Sequence, residues 1–203
     1  MLSSIPGEIL KGIRLTLVFG LLTGIIYPLA VTGVSQVAFN GPANGSLLTK
    51  NGQVVGSTLI GQQFTSDKYF HGRPSATVDA TTGKPKPYAA DNSAGSNLGP
   101  SNSALINRVA SDARTFQQDN GIGANEQVPV DIVTTDFSGV DPDITEAAAL
   151  AQVHRVAQAR GLDKARVRSL VEKYVQGRIL WIFGELHVNV LQVNMALDKG
   201  EAG

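Results

Sequence analysis

LTLVFGLLTGIIYPLAVTGV, Leu15 to Val34, contains no charged side chain, and none occurs anywhere between Arg14 and Lys50. A helix rises about 1.5 Å per residue, so about 20 apolar residues match a hydrocarbon core of about 30 Å. The segment predicts one transmembrane helix over residues 15–38. A buried core helix would carry a charged stripe, whereas the polar residues here are Thr16, Thr23, Tyr27 and Thr32, which helix carbonyls can satisfy. A cleaved leader would have an apolar run of about 7 to 15 residues before a small-x-small site. Gly33 and Ser35 give only a poor version of that site, and the run is longer.

Lys11 and Arg14 precede the run and no charge follows it closely, so the positive-inside rule puts residues 1–14 in the cytoplasm as a tail. Residues 39–203 then form one extracytoplasmic domain. Gly20 and Gly24 form a G-x-x-x-G pair on the side of the helix that also carries Thr16, Thr23 and Tyr27. Such a pair either admits a partner helix or reflects the frequency of glycine in membrane spans, and both readings stand. Pro28 is expected to kink or weaken the last turns.

The 203 residues have a formal net charge of +0, which offers no long-range attraction to nucleic acid. There are no cysteines, so thiolate chemistry, Cys zinc sites and disulfides are excluded, and the outer domain must be held by its core, as in a bacterial envelope protein. His71, His154 and His187 lack H-x-x-x-H spacing, and no metal is expected.

Outside the anchor, Asn40 to Gly45 reads as a linker. Asn51-Gly52 between apolar segments predicts a type I′ hairpin with strands at Ser46–Lys50 and Gln53–Ile60. From Gly72 to Asn102 small and polar residues dominate, which composition assigns to a linker or disorder; a partner-binding loop is the functional alternative. Ser101 or Asn102 caps a helix to Asn120 with Leu105, Val109, Ala113 and Phe116 on one face, and QVPVDIVTT reads as a strand pairing with the hairpin. Helices are expected from Asp143 and Glu146 to Gly161 and from Asp163 to Gly177, in a basic region read as a solvated surface over a lipid or partner patch. RILWIF suits a buried strand, Asn189 with Gln192 caps a last helix, and DKGEAG is expected to fray. The fold class is α+β: a single N-terminal transmembrane helix, then a small, mainly antiparallel sheet built on the hairpin and packed by about four helices.

No catalytic constellation assembles. Gly52, Gly56, Ser57 and Thr58 echo a phosphate loop without its lysine, Asp141 and Asp143 flank a proline as turn residues do, and Ser75 and Ser93 lack a nucleophile elbow. An anchored envelope hydrolase and a solute-binding module remain as rival classes.

YFHGRPS at 69–75, DNSAGSNLGPSN at 91–102 and GELHVNVLQVNMALD at 184–198, in this order behind one anchor, resemble the C subunits of the bacterial Kdp potassium-transporting P-type ATPases. The resemblance implies an inner-membrane complex with a potassium-channel-like subunit and an ATP-hydrolysing subunit, in which this chain is an accessory, non-catalytic member needed for assembly or stability. The family is also described as a catalytic chaperone raising the ATP affinity of the hydrolysing subunit, one suggested route being a ternary complex with nucleotide; no other cofactor is implied. An extracytoplasmic domain cannot touch cytoplasmic ATP, so that influence would have to be transmitted through other parts of the complex. Gly72, Arg73, Pro74, Ser75, Ser96, Asn97, Leu98, Gly99 and Pro100 match the family strings and are the expected partner-contacting residues, with Gly20 and Gly24 in the anchor. Leu186-His187 and VTTDFSGVDPD depart from the family pattern, which leaves the roles of Asp143 and His187 open.

Overall fold

The computed structural model describes residues 5–202. The first four residues of the expected tail and Gly203 lie outside them. The chain divides into two compact units, one ending at Leu47 and the other starting at Leu48.

The first unit is built on α1, Ile5–Ala38, which is long and apolar enough to cross a membrane and has no buried residue in its apolar window. It begins ten residues before the expected run, with a Lys11–Glu8 ion pair of 2.8 Å in its opening turns. Leu22–Ile26 is a π-helical turn in which the Tyr27 N–H bonds the Leu22 carbonyl. The cause is Pro28, which has no N–H to offer Gly24 and whose ring crowds the preceding turn; the wider loop absorbs both defects. The Thr23 hydroxyl donates to the Phe19 carbonyl at 2.7 Å, as a polar group in lipid requires. A helical turn at Asn40–Ala43 follows, where Asn40 and Asn44 both donate to the Gln36 side chain.

Starting at the boundary residue, β1 (Leu47–Lys50) pairs with β2 (Gln53–Ser57) of the second unit across Asn51 and Gly52, whose φ values of 55° and 79° are those of a type I′ turn. Four longer helices follow: α2 (Ser103–Asn120), α3 (Glu146–Arg160), α4 (Lys164–Tyr174) and α5 (Val190–Asp198). Each has a side-chain cap: Asn102 accepts from the Ala104 N–H, Thr145 from Ala148, Asp163 from Ala165 and Asn189 from Gln192. The cap of α3 is Thr145, inside the expected Asp143 start, and α4 stops at Tyr174 rather than Gly177 because Val175 is taken into a strand.

That strand belongs to a separate antiparallel sheet, β3 (Asp143–Thr145), β5 (His187–Asn189) and β4 (Val175–Gln176), with β5 in the centre. The sheet is therefore not built on the hairpin. Val156, Val167, Val171, Val188 and Val193 are fully buried between it and the helices, with Phe70 among them; Val109, Ala113 and Phe116 of α2 pack on this core.

Three further expectations are corrected. QVPVDIVTT forms a 3₁₀ turn at Val130–Ile132: Pro129 cannot donate to a ladder, and the Asp131 carboxylate is committed to the Thr145 N–H and hydroxyl at 2.7 and 3.2 Å. RILWIF is an exposed turn closed by the Ile179–Phe183 bridge, not a buried strand. The end does not fray through Ala202, which is buried, because Glu201 accepts from Lys173 at 2.9 Å and from the Tyr174 hydroxyl at 3.1 Å.

Candidate functional site

The string from Tyr69 to Ser75 has no sheet partner, yet its backbone is fully engaged at the centre. Asn194 on α5 accepts from the Phe70 N–H at 2.8 Å and donates to the Phe70 carbonyl at 2.9 Å. Gln152 on α3 does the same for His71, accepting at 2.8 Å and donating at 3.1 Å. Both amides are buried and act as substitute peptide groups for two consecutive residues. Arg155, one turn along α3, is buried too; it donates to Gln152 at 2.8 Å, to Asn120 at 3.1 Å and to the Asp67 carbonyl at 2.9 Å. A cation in such a place is tolerable only because its donors are used.

Beyond the clamp, the string is tied to two other loops. Tyr88 donates its hydroxyl to the Arg73 carbonyl at 2.7 Å, and its ring lies where Gly61 and Gly72 have no side chain; a Cβ on Gly61 would come within 2.5 Å of it. Ser75 donates to the Gly139 carbonyl at 2.6 Å and accepts from the Tyr88 N–H at 2.9 Å. The Arg73 guanidinium meets the Asp141 carboxylate at 3.0 Å, so this arginine has an acceptor in its own chain, and its Nε is buried without a partner. Gly139 itself, buried at φ 70°, admits no side chain: a Cβ would lie 2.5 Å from Thr77 and 2.7 Å from the Ala94 carbonyl.

The electrostatics follow from these contacts. Burial raises the Asp136 pKa, but hydrogen bonds from the Ser138 hydroxyl and the backbone of Ser138, Gly139 and Asp141 outweigh it and hold the carboxyl below its usual range. Burial lifts Tyr88 well above the tyrosine range, with Asp136 and Asp141 adding to it, so the phenol stays protonated as a donor. Burial depresses His71, and the nearby Arg155 charge lowers it further. His71 Nε2 lies 3.1 Å from the Ser66 carbonyl and 3.4 Å from the Arg155 guanidinium; only the shorter contact fits an Nε2–H tautomer.

His71, Gly72, Arg73, Pro74, Ser75 and Tyr88 form one wall of an open cleft of about 390 Å³, with Asp112 and Asp119 of α2 on another. The expected site residues therefore fall in separate places. Gly72 to Ser75 are contiguous on this wall. Ser96, Asn97 and Gly99 do not line it. Ser96 accepts from Thr135 at 3.4 Å, Asn97 takes φ 51°, and the Gly99 carbonyl accepts from Asn102 in the turn that starts α2. The two strings are joined through residues 135–141, where the Ala94 N–H meets the Ser138 carbonyl at 2.9 Å. Gly20 and Gly24 have nothing within 4 Å of where a Cβ would sit.

Asp143 and His187 are structural partners in the sheet. Asp143 faces Asn189 in register and accepts from its amide at 3.0 Å, while His187 Nε2 lies 4.0 Å from the Asp143 carboxylate. Burial raises the Asp143 pKa against the opposing effects of Asn189 and His187. No cluster able to hold a metal ion occurs among the described residues. Sequence reasoning missed Gln152 and Asn194, and it counted Arg155 in the basic region read as a solvated surface, whereas the side chain is buried. The signal of the two amides was a polar side chain on an otherwise apolar helix face: Gln152 stands between Ala148 and Val156, and Asn194 between Val190 and Leu197.

Residues 9–199 match the family model described as KdpC: K+-transporting ATPase, c chain. The chain is 54% identical over 199 residues to a "Potassium-transporting ATPase KdpC subunit" of Rhodopseudomonas palustris (strain BisB18), an alignment covering 96% of this chain and 98% of the relative. Proteins of the same name from Methylobacterium nodulans and Bradyrhizobium diazoefficiens are 52% and 50% identical, covering 94% and 96% of this chain and 98% of each relative.

Proposed function

This chain belongs to the KdpC family, the c chains of K+-transporting ATPases, and from that premise we propose that it is the accessory, non-catalytic subunit of a high-affinity, ATP-driven potassium uptake complex. It assembles with a potassium-conducting subunit and an ATP-hydrolysing subunit, and its task is to complete or stabilise that assembly. α1 crosses the inner membrane with its N-terminus in the cytoplasm, as the Lys11 and Arg14 flank favours, and the second unit lies outside. Gly20 and Gly24 give a partner helix close access. Any effect on ATP affinity reaches the hydrolysing subunit by coupling through the complex, because the outer unit does not meet cytoplasmic nucleotide.

The observation that carries this reading is the grip of Gln152 and Asn194 on the backbone at Phe70 and His71. It fixes the next residues, Gly72 to Ser75, in one conformation on an open cleft wall. A pre-ordered surface loses little freedom when a partner docks, which suits a subunit that works by contact. The test is Arg73→Ala. The partly exposed pair with Asp141 contributes about 1 kcal/mol or less, so the chain stays folded, while co-purification with the other subunits falls. Unchanged co-purification at equal expression would overturn the assignment of this wall to a partner.

A further inference from the structure

RILWIF is as apolar as a core strand and is exposed along its whole length. Trp181 is 93% exposed, Leu180 73%, Ile179 and Ile182 71% each and Phe183 62%. Five consecutive large apolar side chains in water mark an interaction site. The turn is not a frayed end. Ile179 and Phe183 exchange backbone hydrogen bonds at 2.8 and 2.9 Å, and Trp181 and Ile182 donate back to Arg178 and Ile179. Arg178 and Glu185 close the base at 2.7 Å. Leu180 and Trp181 hold φ of 53° and 66°, a region bulky residues occupy only where something compensates.

We infer that this loop seats its tip, Ile179 to Phe183, in the interfacial layer of the bilayer that α1 crosses. The inference rests on the reading of α1 as a membrane span. Three features favour lipid over a protein partner. Apart from the Trp181 indole N–H, which suits the headgroup boundary, the tip offers bulk without polar groups, whereas a protein interface carries a polar rim. Much of its backbone is satisfied within the turn, so those groups enter an apolar layer without leaving donors unpaired. Trp with Phe and aliphatic neighbours, above an arginine, is the composition that settles at the headgroup boundary. The tether is short: the peptide from Phe39 to Leu47 spans at most about 30 Å when fully extended, which holds the unit that carries the loop near the surface and raises its effective concentration there.

Trp181 is the only tryptophan and the chain has no cysteine, so two probes report on the loop without background. The full chain is reconstituted in phosphatidylcholine–phosphatidylglycerol vesicles and its flotation checked. The expected result is blue-shifted Trp181 emission, shielded from iodide and quenched more by lipid nitroxides near the headgroup than by deep ones. Flotation with water-like, iodide-accessible emission and no lipid quenching would overturn the loop inference and leave the membrane span standing. Failure to float would overturn the span and the inference together. In the assembled complex, a nitroxide on Ile182→Cys should be accessible to oxygen and shielded from a water-soluble nickel chelate. Shielding from both would mean that a protein covers the tip, which contradicts the lipid assignment.

Discussion

The loop from Gly72 to Asn102 and the run from Arg178 to Phe183 exchange the environments their compositions suggest. The first is rich in Gly, Ser, Pro and Asn, buries little, and is nonetheless ordered. The second is made of core residues and is left uncovered by its own unit. Composition states what a segment needs, and here the need is met from elsewhere. The polar loop borrows order from amides on α3 and α5, through bonds such as His71 to Gln152 and Phe70 to Asn194, and from the 136–141 turn. The apolar run is absent from the core of the second unit, which is made of other residues, Ile144, Val171, Val188 and Val193 among them. Polar order and apolar exposure both follow from the pairing β3-β5-β4, which brings α3 and α5 under the 69–75 string and pushes residues 178–186 out as the connection between β4 and β5.

The contrast is most sharply broken by Gln152→Leu. It leaves the His71 N–H and carbonyl and one Arg155 donor unpaired, and at about 1 to 3 kcal/mol for each buried unsatisfied group the loss should reach about 3 kcal/mol in chemical denaturation of the full chain. Proteolysis between Gly72 and Asn102 should then be faster than in the native chain. A loss within 0.5 kcal/mol would mean that the loop is ordered by something other than the clamp.

A smaller effect comes from pH. His71 has its pKa lowered from 6.5 by burial and by Arg155, so the unfolded chain takes up a proton before the folded one does. The stability linked to His71 is fully present above about pH 6.5 and is lost as pH falls from there through the folded-state value. Denaturation midpoints should drop over that window, and His71→Gln should remove the step. A native chain equally stable across it would contradict the placement of His71 against Arg155.

The smallest effect on stability is expected at the other pole of the comparison. Trp181→Ser removes a side chain that touches almost nothing in its own unit, so the denaturation midpoint in detergent should move by no more than about 0.5 kcal/mol. A loss of 2 kcal/mol would show that the turn packs on the core after all.

What was legible in the sequence was local. Asn51-Gly52 announces its turn because both positions need positive φ, and Asn102, Asp163 and Asn189 announce helix starts because a cap needs only the next three residues. The family strings were legible as strings. Their support was not, since the groups that hold Phe70 and His71 lie 124 and 81 residues away and a side-chain amide replacing a strand leaves no periodicity. RILWIF misled for the complementary reason: a compact apolar run reports that its side chains avoid water, without saying that its own unit provides the shelter.

The central claim, that this chain completes a potassium-transporting ATPase without performing its chemistry, is tested most directly by potassium-stimulated ATP hydrolysis of the complex purified with and without it, with the retained subunits read from a gel. The account predicts that removing this chain dissociates the complex or abolishes potassium stimulation, and that adding it back restores both. Full assembly and normal stimulated turnover in its absence would contradict the account.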